Sequence, residues 1–128
     1  MNQQYNPQFQ AGENIALKIP KYRFTETVAF YRDVLQLPYL GQRDTSHVFQ
    51  FGAMRLWLDE VPNYSQVDIW LELKSNNLEA ATSYLMKNST PVRDELEPLG
   101  DFQGHWISDP AGIIYLLAES SKQQGFTT

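Results

Sequence analysis

The feature that most constrains this chain is an order of elements that runs through twice, although the sequence itself hardly repeats. Asn14-Ile-Ala-Leu-Lys-Ile19 alternates with period two and reads as a strand whose Ile15, Leu17 and Ile19 share one face. Pro20 to Arg23 breaks it, Thr25 is placed to cap a helix, and Phe24, Val28, Tyr31, Val34 and Leu35 fall on one helical stripe that Pro38 ends. Short strands follow near Tyr39-Leu40, from His47 to Phe51 and from Met54 to Leu58, with Gly41 and Gly52 between them. The order then recurs. Asp68 to Leu73 is a strand with Ile69, Leu71 and Leu73 on one face. Ser75, Asn76 or Asn77 can cap a helix carrying Leu78, Ala81, Leu85 and Met86, and strands fit near Val92–Leu96, His105–Ser108 and Ile113–Ala118. A shift of 54 carries Asn14 to Asp68, and a shift of 60 carries Gly52 to Gly112 and Leu56 to Leu116. The six extra residues fall where loops absorb insertions at least cost. A half of roughly 50 residues buries too little surface to stand alone, so the halves must share one core or sheet.

The 128 residues suit a single domain, here taken as 13–120 with modules near 13–62 and 66–120. The Gln- and Asn-rich residues 1–12 read as a flexible arm and residues 121–128 as a polar tail. A net charge of −5 argues against a protein that reads a phosphate backbone. With no cysteine there is neither disulfide, thiolate metal site nor cysteine nucleophile. The N-terminal residues lack both a basic flank and an apolar run, and no stretch is apolar enough to cross a bilayer, so a cytoplasmic address without membrane contact is expected.

Two short strings add to the element order: Phe30-Tyr-Arg-Asp-Val-Leu-Gln36 on the first helix and Asp109-Pro-Ala-Gly112 before the last strand. With the duplicated order, they resemble the vicinal oxygen chelate superfamily, also called glyoxalase/bleomycin-resistance/dioxygenase proteins, over about Asn14 to Glu119. That family shows F-Y-x-x-x-L-G and D-P-x-G at these places; Gln36 stands where it has Gly. Physically, Asp-Pro-x-Gly is also plain turn chemistry, with Pro fixing φ and Gly permitting positive φ. The resemblance implies an α+β fold: two βαβββ modules forming a cup-shaped, curved mixed sheet with the helices on its outer faces. Alternation then turns Asn14, Ala16 and Lys18, and likewise Asp68, Trp70 and Glu72, toward the cup.

Metal-dependent members carry ligands at positions that map here to Asn14, Leu56, Asp68 and Leu116. A divalent ion needs three or four oxygen or nitrogen donors, and two of the four positions are leucine; a one-residue shift on the fourth strand offers Trp57, no better. No metal and no cofactor are therefore expected. His47 and His105 fall on none of these positions, and Asp59-Glu60 and Asp94-Glu95 read as solvated surface. The expected ligand-binding set is Asn14, Leu56, Asp68, Trp70, Glu72 and Leu116, in which the acid–aromatic–acid stripe suits a flat or cationic ligand, unless Lys18 neutralises an acid. The resemblance to the bleomycin-resistance branch implies a homodimer that sequesters a small molecule without chemistry. Two alternatives stand beside it: a metal-dependent lyase, isomerase or dioxygenase using Glu72 and Asp68 as acid–base groups, and a protein-interaction module.

Overall fold

Pro20 turns the first strand straight into the first helix. In the computed structural model, which describes residues 7–120, β1 spans Phe9–Pro20 and α1 Lys21–Ala29. β1 starts five residues before the expected strand, within the segment read as an arm; residues 1–6 of that arm and the tail 121–128 lie outside the described residues. No side chain caps α1, and Thr25 lies inside it. A missing cap costs about 1 kcal/mol. Burying Phe24 and Val28 against the sheet outweighs that, at roughly 1.5–3 kcal/mol per side chain.

Phe30–Val34 then form a π turn, in which the Leu35 N–H donates to the Phe30 carbonyl at 2.9 Å. The wider turn holds an extra residue and rotates everything after it. Val34 and Leu35, placed on the buried stripe by their spacing, are consequently 68% and 46% exposed.

β2 (Tyr39–Arg43), β3 (Ser46–Phe51) and β4 (Met54–Val61) form an antiparallel meander, and β4 returns parallel to β1, pairing Ile15 with Leu56 and Leu17 with Leu58. β5 (Asp68–Ser75) leads to α2 (Leu78–Lys87), whose N-cap Asn77 accepts the Ala80 N–H at 3.0 Å. β6 (Gly104–Ser108) and β7 (Ile114–Glu119) pair antiparallel.

The strands lie in one mixed sheet in the order β2-β3-β4-β1-β5-β7-β6. This corrects the expected cup: the sheet is neither closed nor strongly curled, and β2 and β6 remain as its edges. Part of the reason is a missing strand. Of the segment expected from Val92 to Leu96, only a bridge from Val92 to Ile107 forms. Pro91 lacks an N–H, and the Asp94 carboxylate accepts the Trp106 N–H at 2.8 Å, the donor a neighbouring strand would have used.

The described residues form two compact units that divide within β1 and β5: residues 13–71, and residues 7–12 together with 72–120. In the first, Ile19, Phe24, Val28, Phe49, Leu56 and Leu58 form the core, with Ile15, Leu17, Tyr31 and Leu37 packed on it. In the second, Ala81, Trp106, Ile107, Ile114, Leu117 and Ala118 are buried. Its Asp-Pro-Ala-Gly turn is held by Asp109, whose Oδ1 accepts the N–H groups of Ala111 and Ile113, each at 2.9 Å, while Gly112 takes a φ of 102°.

Candidate functional site

The parallel pairing of β1 and β4 assigns the two faces of the first unit. Ile15, Leu17 and Ile19 lie on the α1 side together with Leu56 and Leu58. Asn14, Ala16 and Lys18 lie opposite, in register with Arg55, Trp57 and Asp59. Leu56, expected to meet a ligand, is thus in the core behind α1, because counting from Gly52 gave the wrong parity and one residue of slip turns a side chain to the other face.

On the face opposite α1 the polar groups satisfy one another. The Trp57 indole N–H donates to Asn14 Oδ1 at 2.8 Å, and the Trp70 indole N–H donates to Asp68 Oδ2 at 3.0 Å. Asn14 and Asp68 are the positions related by the shift of 54, so each half spends its oxygen on an indole. Arg55 adds a bond to Glu13 at 2.9 Å. Lys18 donates to Asp59 at 2.7 Å, its nitrogen lies 4.3 Å from the Trp70 ring centre, and Ser46 donates to the other Asp59 oxygen at 2.5 Å. Lys18 is 3% exposed and Trp70 4%. The cation that the acid–aromatic stripe was expected to attract is supplied by the chain itself.

Glu72 and Leu116 belong to the second unit. The Glu72 side chain lies so close to Gly12 that a β-carbon there would collide with it, and Leu116 is half-buried opposite Trp106. Among the described residues no three His, Asp or Glu side chains gather where they could hold an ion. Leucine or tryptophan stands at the fourth-strand position, and the oxygens of Asn14 and Asp68 already accept indole N–H bonds, so the residues do not fit the family's metal site. His47 Nδ1 and the Tyr39 hydroxyl share a hydrogen bond of 2.8 Å, and burial, aided by the Arg32 charge, holds the His47 pKa below the ordinary imidazole value. His105 donates to Asp94 at 2.7 Å.

The α1 side holds a cleft of about 550 Å³. Leu17, Ile19 and Ile69 form its floor, Tyr22, Arg23, Thr27 and Tyr31 one wall, and Ser65, Gln66 and Val67 the other. The Tyr22 hydroxyl donates to the Ser65 carbonyl at 2.9 Å and ties the walls together. Ile69 and Val67, both in its lining, are 46% and 53% exposed. Ile69 was legible as lying opposite Trp70. What the sequence did not disclose is that α1 leaves it uncovered.

No protein-family model matches the chain, and no curated protein matches it in sequence. Its fold is similar to that of several solved structures, one of them a glyoxalase/bleomycin resistance protein/dioxygenase superfamily member. A hypothetical protein from Bacillus halodurans C-125 superposes with a TM-score of 0.64 at 13% identity over 92% of this chain and 99% of that one. Methylmalonyl-CoA epimerase from Mycobacterium tuberculosis gives 0.59 at 13% identity over 88% and 89%. A glyoxalase/bleomycin resistance protein/dioxygenase superfamily member from Vibrio splendidus 12B01 gives 0.58 at 13% over 83% and 97%. Likeness at this identity establishes the fold and leaves function to the site.

Proposed function

We propose that this chain is a small-molecule-binding protein that takes a flat, largely apolar ligand in the cleft beside α1. The observation that carries the reading is the cleft itself: its volume of about 550 Å³, apolar floor and two tyrosines match what ligand pockets require. Its lining contains no Asp, Glu or His, the side chains that most often move protons near neutral pH, which favours binding over catalysis. The aromatic preference expected from the sequence is kept. The cationic preference is dropped, because Lys18 already lies between Asp59 and Trp70.

A thermal-shift screen of planar aromatic compounds on wild type and Ile69→Glu tests the reading. Compounds should raise the midpoint of wild type and lose the effect in the variant, whose carboxylate stands on the cleft floor. Hits that shift both proteins equally would sink the cleft as the site. A screen with no hits would favour the interaction module.

A homodimer belongs to the same proposal. It is supported by exposed Phe30, Val34, Leu35, Tyr39 and Leu40 next to the sheet edge β2. A cytoplasmic address is part of the same proposal. No described helix is long and apolar enough to cross a membrane.

A further inference from the structure

Arg23 is the one charged side chain among the residues lining the cleft. Resting on the cleft reading above, we infer that the ligand is an aromatic monocarboxylate, its rings on the Leu17–Ile19–Ile69 floor and its carboxylate on the Arg23 guanidinium. A guanidinium presents donors in a planar fork that fits a carboxylate and is always charged. Two groups already meet it. Its Nη1 donates to Glu26 Oε2 at 2.8 Å, and it stacks 5.4 Å from the centre of the Tyr22 ring. The Arg23 and Glu26 side chains are 61% and 63% exposed, so their pair is weak and a ligand carboxylate displaces or shares it at little cost. Stacking on Tyr22 restrains the guanidinium at the cleft wall. One cation suits one negative charge, which disfavours dianions such as phosphate monoesters. The apolar floor disfavours sugars and other ligands polar on every side, whose groups would be stranded there.

The probes are 2-naphthoate and 2-naphthamide, equal in shape and different in charge, titrated by calorimetry against the full chain. Naphthoate should bind about fivefold more tightly than the amide, the scale of one partly exposed charge pair. Arg23→Gln should remove that difference by weakening naphthoate binding to about the level of the amide. Glu26→Gln should strengthen naphthoate binding by releasing the guanidinium, and added salt should reduce the naphthoate advantage. Circular dichroism shows whether each variant remains folded. Equal binding of both probes, unmoved by Arg23→Gln, would overturn the carboxylate assignment and leave the cleft standing. Binding of neither probe would overturn both.

Discussion

Gln36 is the clearest case of one residue carrying strain. It follows the π turn with a φ of 56°, where a side chain crowds the backbone and glycine does not. Gln36→Gly should therefore stabilise the fold by about 1 kcal/mol, less the entropy glycine adds to the unfolded chain, and raise Tm by a few degrees in a calorimetric scan. The Lys18–Asp59 pair makes a sharper test because its partners are unequally buried, with side chains 4% and 19% exposed. Asp59→Ala takes this carboxylate from a buried ammonium that keeps its contact with the Trp70 ring, and should cost about 1–3 kcal/mol in urea unfolding. Lys18→Met should cost clearly less, since Asp59 keeps the Ser46 hydroxyl and some water. Equal losses would mean that the pair matters only as packing. The alternation of β1 and β5 already separated Lys18 and Trp70 from Ile15, Leu17 and Ile69. It could not disclose which face is shut, because exposure depends on what covers a strand and not on its own pattern.

At the scale of elements, departures from the sequence reading have local causes. Helical spacing placed Val34 and Leu35 inside, and a single π turn brings them out. Strand β4 was legible from Met54 to Leu58, but its parity was not. Gly52 marks a turn without fixing the register, whereas the pairing with β1 fixes it. The segment after α2 had strand-like residues at Val92 and Leu96, and there Asp94 competes with the ladder. Burial pushes the Asp94 carboxyl up. The His105 hydrogen bond and the Trp106 N–H more than offset this and hold it below the ordinary range. A carboxyl lowered in the folded state stabilises fully above its unfolded pKa, and that stability is lost as pH falls through the folded value. Asp94→Asn keeps an acceptor for Trp106 but cannot titrate. Stability of wild type relative to this variant should hold steady above about pH 4 and shrink below it. A difference independent of pH from neutrality down to pH 2 would show that Asp94 is not linked to folding.

For the molecule as a whole, the open sheet poses the question of its edges. The homodimer implied by the resemblance has to form on an open sheet and not on a cup. An open sheet with β2 at one end still presents unpaired strand edge, and the residues leading into that edge are unusually apolar. Phe30, Val34, Leu35, Tyr39 and Leu40 are all at least a third exposed, and the π turn is what puts Val34 and Leu35 outside. Leaving such side chains in water costs roughly 25 cal/mol per Å², which association recovers. The proposed homodimer should therefore use this end of the first unit. Sedimentation velocity at micromolar concentration should show a species of twice 14.8 kDa. Val34→Glu with Leu40→Lys should shift it to the monomer without loss of circular dichroism, because both side chains are exposed in the single chain. A monomer at every concentration would remove the dimer. A dimer insensitive to the double variant would move the interface elsewhere. The cleft test is separable from this one, since Arg23 and Ile69 line the cleft and are outside the substituted pair. Naphthoate binding should survive in the monomeric variant, and its loss there would mean that the second copy completes the site.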